Sequence, residues 1–350
     1  MKAEPSAVLV DAAQLTEFIA KLFAASGVRS EWARLMGESL VAANLRAVDS
    51  HGVQLAPFYL AQLADGRVDA NAAGRVASEA GALMSYDGQN GLGQVVASHA
   101  ARHAVRLAGV HGLGLVVARE SNHFGAAAWW AQNISSAGML GVVMCNASSI
   151  VAPWQAREPV WGTNPICVSV PGGRWLLDMA TTTVAMGKIY KAGFNHQPEI
   201  PAGWAMDSDG VPTTSTQAAL RGLLMPLGGY KGSGLAMMVE ILCGVLAGGA
   251  MGTELGGLRV EDRPFRVSQF VLAIDIERLM PRAEFEERMS HLIDMVKSRK
   301  PAPGFDEVLV AGEPEWRAEA ERRRDGVPVD LPLMHALREW AVRLGVQANV

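Results

Sequence analysis

The chain has 350 residues, 49 % hydrophobic and 19 % charged, which is enough for a substantial buried core and excludes a disordered protein. Lys and Arg total 31 against 35 Asp and Glu, a formal net charge of −4 with the cations scattered, so no basic stripe invites nucleic acid and no polybasic patch an anionic membrane. The three cysteines, Cys145, Cys167 and Cys243, lie in apolar runs, and their odd count reads as buried reduced thiols rather than a disulfide framework.

The opening Met1-Lys2-Ala3-Glu4-Pro5 has no apolar h-region behind it, so no secretory signal is expected and the protein is expected in the cytoplasm. Asp11 can cap a helix carrying Leu15, Phe18, Ile19 and Leu22 on one face, stopped by Gly27. Ser30 can cap a second helix with the stripe Leu35, Leu40, Val41 and Leu45, which runs into Val48-Asp49-Ser50-His51-Gly52. A third helical stretch around Phe58 to Ala64 closes at Gly66. From about residue 80 a helix over Val95–Leu107 precedes short β-type runs at Leu113–Ala118, Leu140–Cys145, Ile166–Val170, Trp175–Asp178 and Phe270–Ile274. Helices Ala126–Ile134 and Leu235–Leu246 lie among them. The apolar run Leu235–Met251 is broken by Glu240 and glycines and is too short to span a membrane, so it reads as a buried helix. Arg282–Lys300 and Pro332–Leu344 are helical again, on either side of Pro301-Ala302-Pro303-Gly304. Helices flanking a mixed middle predict an α+β protein, with a helical domain from residues 1–78 and 282–350 and an α+β domain from 79–281.

Gly91-Leu92-Gly93 lacks the third glycine and the preceding strand of a dinucleotide fingerprint, so a Rossmann domain is not supported. Leu227-Gly228-Gly229-Tyr230-Lys231-Gly232-Ser233-Gly234 leads onto the helix expected from Leu235. Free backbone N–H groups at a helix start, with Lys231 beside them, suit a phosphate or another anion; the plain alternative is a flexible turn with a solvated lysine. His51 ends a helix and His123 lies between a strand and a helix, both suitable places for an acid/base imidazole or for a structural one. His99 and His103 have the four-residue spacing of metal ligands but no accompanying motif. Asp178, before Met179-Ala180-Thr181-Thr182-Thr183, can hold a ribose or phosphate, or simply cap a helix; Thr163-Asn164-Pro165 is similarly open.

The order of these segments is more specific than any one of them. Arg46-Ala47-Val48-Asp49-Ser50-His51-Gly52-Val53, Ser121-Asn122-His123-Phe124-Gly125, Gly162-Thr163-Asn164-Pro165, Leu177-Asp178-Met179-Ala180-Thr181-Thr182, Ile200-Pro201-Ala202-Gly203-Trp204-Ala205-Met206-Asp207 and Pro226-Leu227-Gly228-Gly229-Tyr230-Lys231-Gly232 together resemble the malate/L-lactate dehydrogenase family that is unrelated to the Rossmann-type enzymes. Ureidoglycolate dehydrogenase, diketogulonate reductase, sulfolactate dehydrogenase and the cyclic imino acid reductases belong to it, and the resemblance covers about residues 10 to 315. It implies a non-Rossmann nicotinamide-binding α+β domain beside a helical domain formed by both termini, in a homodimer with its site near the interface. It implies hydride transfer between NAD or NADP and a small 2-oxo or 2-hydroxy acid, or reduction of a cyclic imino acid. His51 and His123 would be the catalytic imidazoles, with Ser50 orienting His51. Ser121, Phe124, Gly125, Asp178, Met179, Ala180, Thr181, Thr182, Lys231, Gly232, Gly312 and Glu313 would hold the dinucleotide, Thr163 would meet the substrate, and no metal is implied. Many relatives carry an arginine four residues after the histidine of the Ser-His-Gly motif; here that position is Leu55, which leads us to expect a substrate with an apolar or cyclic portion there. Two competing readings are a metal-dependent hydrolase built on His99 and His103, and a binding protein that has lost turnover. The joint presence of His51, His123 and Lys231 argues against the second.

Overall fold

A computed structural model of the chain describes residues 7–257 and 263–348; Met1-Lys2-Ala3-Glu4-Pro5 lies outside the described residues. The helix Ala12–Ala25 starts where the Asp11 carboxylate accepts the backbone N–H groups of Ala13 and Gln14 at 2.9 and 3.0 Å. Leu15, Phe18, Ile19 and Leu22 form its buried face, as their spacing requires. The next helix, Ser30–Leu45, corrects one expectation: Ser30 is its first residue rather than its cap, Arg29 holds the cap position, and no side chain bonds there. Together with Ala56–Ala64 these helices enclose a core that the end of the chain completes. The strand Val327–Asp330 pairs antiparallel with Ala7–Val10, Val327 opposite Val10, and Leu331–Leu344 then adds Met334, Leu337 and Ala341 to the same core.

The second body is a seven-stranded sheet. From edge to edge its strands are Arg75–Ala80, Leu83–Asp87, Leu113–Ser121, Val267–Asp275, Met139–Cys145, Ile166–Ser169 and Leu176–Met179. All neighbours are antiparallel except Leu83–Asp87 and Leu113–Ser121, which the helix Gly93–His111 joins in parallel. That helix and Ala127–Ser136 cover one face, packing Ala97, Ala100, Ala104, Leu107, Trp130 and Ile134 against Val116, Ala118, Val143 and Val271. The opposite face, carrying Val117, Met144 and Phe270, is covered by Tyr230–Glu240, which continues as a π-turn over Ile241–Val245 and contributes Val239 and Cys243. The fold is therefore α+β and not doubly wound, since five of the six strand pairings run antiparallel.

A smaller lobe forms around Met186–Phe194, Thr216–Ala219 and the short strands Ala205–Met206, Pro212–Thr213 and Leu223–Leu224. Arg282–Lys297 buries only Ile293, and Glu313–Asp325 buries no residue. Among the described residues no helix is long and apolar enough to cross a membrane.

Candidate functional site

The helix Ser30–Leu45 ends in a left-handed residue, Ala47 at φ 58°, and the chain turns into the short helix Asp49–His51. Asn44 fixes this turn from both sides. Its Nδ2 donates to Asp49 Oδ1 at 2.6 Å, and its Oδ1 accepts the Val53 N–H at 2.8 Å. A side chain at Gly52 would run into Asn44, with a Cβ 2.1 Å from Oδ1, so the motif requires glycine there. Arg322 clamps Asp49 from the helix Glu313–Asp325, Nη1 to Oδ1 at 2.6 Å and Nη2 to Oδ2 at 3.0 Å, and also donates to the Asn44 carbonyl. Ser50 Oγ lies 3.0 Å from His51 Nδ1.

His123 follows the strand Leu113–Ser121, and its ring stacks on His51 with centroids 5.7 Å apart and planes 25° from parallel. Phe265 covers it at 6.3 Å and 13°. The turn behind it is tightly backed: Asn122 Nδ2 donates to the Asn90 and Gly91 carbonyls, and a Cβ on Gly93 would lie 2.2 Å from the Asn122 carbonyl oxygen. Gly91 and Gly93 thus serve the histidine turn, not a phosphate loop. Burial lowers the pKa of His51, and burial together with the neighbouring His51 brings His123 down to about 3. Both imidazoles are partly buried, with protein on most sides.

One segment links this pair to the expected dinucleotide residues. Asp178 Oδ2 accepts the Ala128 N–H at 2.8 Å, on the helix just after His123. Its carboxyl reaches solvent, but crowding by protein pushes its pKa up to about 6 against the pull of that N–H and of the Arg46 charge. Met179 and Ala180 are half-buried and lead to Thr181, whose N–H and hydroxyl both donate to the Thr163 carbonyl, at 2.9 and 3.0 Å. The Thr181 carbonyl in turn accepts the Leu227 N–H at 2.9 Å, which draws in Lys231 and Gly232, and Thr182 pairs with Pro226. The segment then reaches Gly187, where a Cβ would touch Ser50 at 3.4 Å. Lys231 and Gly232 stand in the first turn of a helix that begins at Tyr230, five residues before the expected Leu235, and Lys231 is exposed there.

Other expected positions pack or bond within the protein. Ser121 is fully buried and takes the Gln269 Nε2 hydrogen at 2.8 Å; Phe124 is buried edge-on against Trp130; Gly125 lies against the His51 carbonyl. The Glu313 carboxylate is occupied by Lys297 Nζ at 2.5 Å and the Val310 N–H at 2.9 Å, so it is not free for a ribose, while Gly312, at φ 95°, sits against Trp316. Leu55 is 8 % exposed and belongs to the helical core, which corrects the expectation that it fronts the substrate: the apolar side chain turns inward. His99 lies 2.8 Å from the Tyr86 hydroxyl, and His103 packs on the Tyr86 ring. Among the described residues, no group of three or more His, Cys, Asp or Glu is placed to hold a metal ion.

The structure adds residues that periodicity could not single out. Arg46 is 5 % exposed; its Nη1 lies 3.9 Å from Glu319, and neither Nε nor Nη1 has a hydrogen-bond partner among the described residues. Tyr59 reaches His123 from the helix Ala56–Ala64, a contact between distant segments that no local sequence pattern marks. Glu240, 3 % exposed, accepts from Asn164 at 3.1 Å, Asn146 at 3.2 Å and the Gly252 N–H at 3.4 Å. The interruption of an apolar run by a single carboxylate was its signal.

Comparison with known proteins sets the class: the curated relatives are dehydrogenases of hydroxy acids, and this chain is an oxidoreductase of that kind. It is 36 % identical over 346 residues to malate dehydrogenase of Pyrococcus horikoshii, covering 95 % of each chain. The family model described as malate/L-lactate dehydrogenase matches residues 10–338, and the chain belongs to that family. Sulfolactate dehydrogenase from Methanocaldococcus jannaschii superposes with a TM-score of 0.92 at 33 % identity, over 97 % of this chain and 98 % of that one. The delta1-piperideine-2-carboxylate reductase from Pseudomonas syringae pvar. tomato does so with a TM-score of 0.84 at 29 % identity, over 95 % and 100 %.

Proposed function

We infer that the protein moves a hydride between NAD or NADP and a small 2-oxo or 2-hydroxy acid, with His51 giving or taking the proton. The observation that carries this reading is the stacked pair His51–His123, joined to the Asp178–Gly187 segment at Ala128 and at Ser50. The residues fit a dinucleotide. Arg46 is a buried guanidinium beside Asp178 with N–H groups left to donate, and Lys231 stands exposed in the first turn of the helix that begins at Tyr230, at the positive end of its dipole. Asp178, Met179, Ala180, Thr181, Thr182, Lys231 and Gly232 would hold the group, which supplies the hydride when bound. The protein's own part is to orient the carbonyl, exclude water around it and exchange a proton with its oxygen through an imidazole of suitable basicity. Reduction of a cyclic imino acid is the second reading, favoured by the likeness to the piperideine-2-carboxylate reductase.

A homodimer is part of the same proposal. Met237, Ile241 and Val245, 51, 47 and 55 % exposed, recur every four residues on the outer side of the helix whose inner side covers the sheet. A second copy laid on this row would bury it close to Lys231.

The test is a spectrophotometric screen of NADH and NADPH oxidation with pyruvate, oxaloacetate, other 2-oxo acids and cyclic imines. At least one substrate should be reduced, and His51→Ala should lose roughly 10²–10⁴-fold in turnover while still binding dinucleotide. Lys231→Ala should weaken dinucleotide binding by roughly tenfold or more, the effect of one charge-assisted contact. Full turnover in His51→Ala would sink the assignment of the proton, and unchanged binding in Lys231→Ala the assignment of the glycine-rich loop.

A further inference from the structure

The two ring nitrogens of His123 have different surroundings. Nδ1 faces the protein, where the Tyr59 hydroxyl lies at 2.6 Å and the backbone N–H of Gly125 points at the same atom at 3.2 Å. A backbone N–H can only donate, so the atom receiving it must present a lone pair. A hydrogen on Nδ1 would be pressed against the amide hydrogen of Gly125. His51 and Phe265 both stack against the ring, which hinders its rotation.

A neutral imidazole with its lone pair on Nδ1 carries its hydrogen on Nε2. Tyr59 is 3 % exposed and has that lone pair within reach, so its O–H also points at Nδ1 and its oxygen is left to accept. Gln94, fully buried in the first turn of Gly93–His111, lies near that hydroxyl, and neither of its amide atoms has a hydrogen-bond partner among the described residues.

We propose that Tyr59 and the Gly125 amide hold His123 as the neutral Nε2–H tautomer, making His123 a fixed hydrogen-bond donor to a substrate oxygen and leaving His51 as the proton carrier. Tyr59 is then a positioning residue that acts through His123. This rests on the reading of the two imidazoles as facing the substrate. The electrostatics agree: stacked 5.7 Å apart, the rings do not both carry charge at low cost, and His123 is the more strongly held neutral. In the oxidative direction His51 takes the hydroxyl proton as the C–H hydride leaves; in the reductive direction it returns that proton to the oxygen, and His123 keeps its own hydrogen throughout.

The experiment is imidazole ¹H–¹⁵N correlation spectroscopy on the intact protein labelled with ¹⁵N-histidine, with His123 assigned from the His123→Asn spectrum. His123 is expected to show the Nε2–H pattern without titrating from about pH 5 to 8, while His51 titrates. A Nδ1–H pattern for His123, or its protonation within that range, overturns the proposal. Tyr59→Phe should shift the His123 Nδ1 resonance, raise the share of the Nδ1–H form and lower kcat by roughly tenfold, one hydrogen bond's worth, at unchanged dinucleotide Kd. Unaltered His123 signals in Tyr59→Phe overturn the role of Tyr59. The spectra require no turnover, so a failed substrate screen and a failed tautomer assignment remain distinguishable.

Discussion

His51 and His123 stack side by side, and their surroundings hold them neutral to different degrees. Burial alone lowers the pKa of His51 from 6.5, whereas His123 falls to about 3 and stays neutral over the working range. The sign follows: oxidation of a hydroxy acid needs neutral His51, and reduction needs it protonated. The oxidative kcat/KM should therefore fall with unit slope as pH drops through a single value below 6.5, while the reductive kcat gains over the same window. An oxidative limb breaking well above 6.5 would point to another group. The sequence marked both histidines because each ends an element, but it could not rank them. Their difference lies in Tyr59, Gly125 and Phe265, which come from three separate segments.

Among the elements, the helix that starts at Tyr230 shows where sequence reading stopped. Its apolar character was legible. Its start lies earlier because glycines at 232 and 234 read as loop, whereas close packing on Leu227 and Thr181 requires Gly232 in the first turn and Gly234 stands in open space. The strands Arg75–Ala80 and Leu83–Asp87 escaped notice for a related reason: the edge strand is exposed throughout and shows no alternation. Strands with a buried face, such as Val267–Asp275, were found within a few residues. Glu240 ties the Tyr230 helix to the Gly162–Pro165 turn through Asn164, which is held at φ 38°. Both of its oxygens act as acceptors, so Glu240→Gln would set an NH₂ group against the donors Asn146 and Gly252. That substitution should cost about 1–3 kcal/mol of stability even though it removes a buried charge, measured by urea denaturation. A stabilised variant would show that the carboxylate, not its acceptors, governs the site.

At the scale of the whole molecule, the row Met237, Ile241 and Val245 supplies a direct check on assembly. Ile241→Glu should give a 37.2 kDa monomer by sedimentation with helix content unchanged, while the parent sediments at twice that mass. A monomeric parent would remove the row from any account of the dimer. The ribbon of Ala7–Val10 with Val327–Asp330 has a consequence in time as well as in space. On the ribosome, Leu15, Phe18 and Leu22 emerge long before Val327, Val329, Met334 and Leu337, the residues that close the core around them. The sheet has a core of its own and can condense while synthesis continues. The early helices can pack on one another but must wait with the rest of that core uncovered, so the first body to be started is the last to be completed, and it is there that a nascent chain would most need a chaperone.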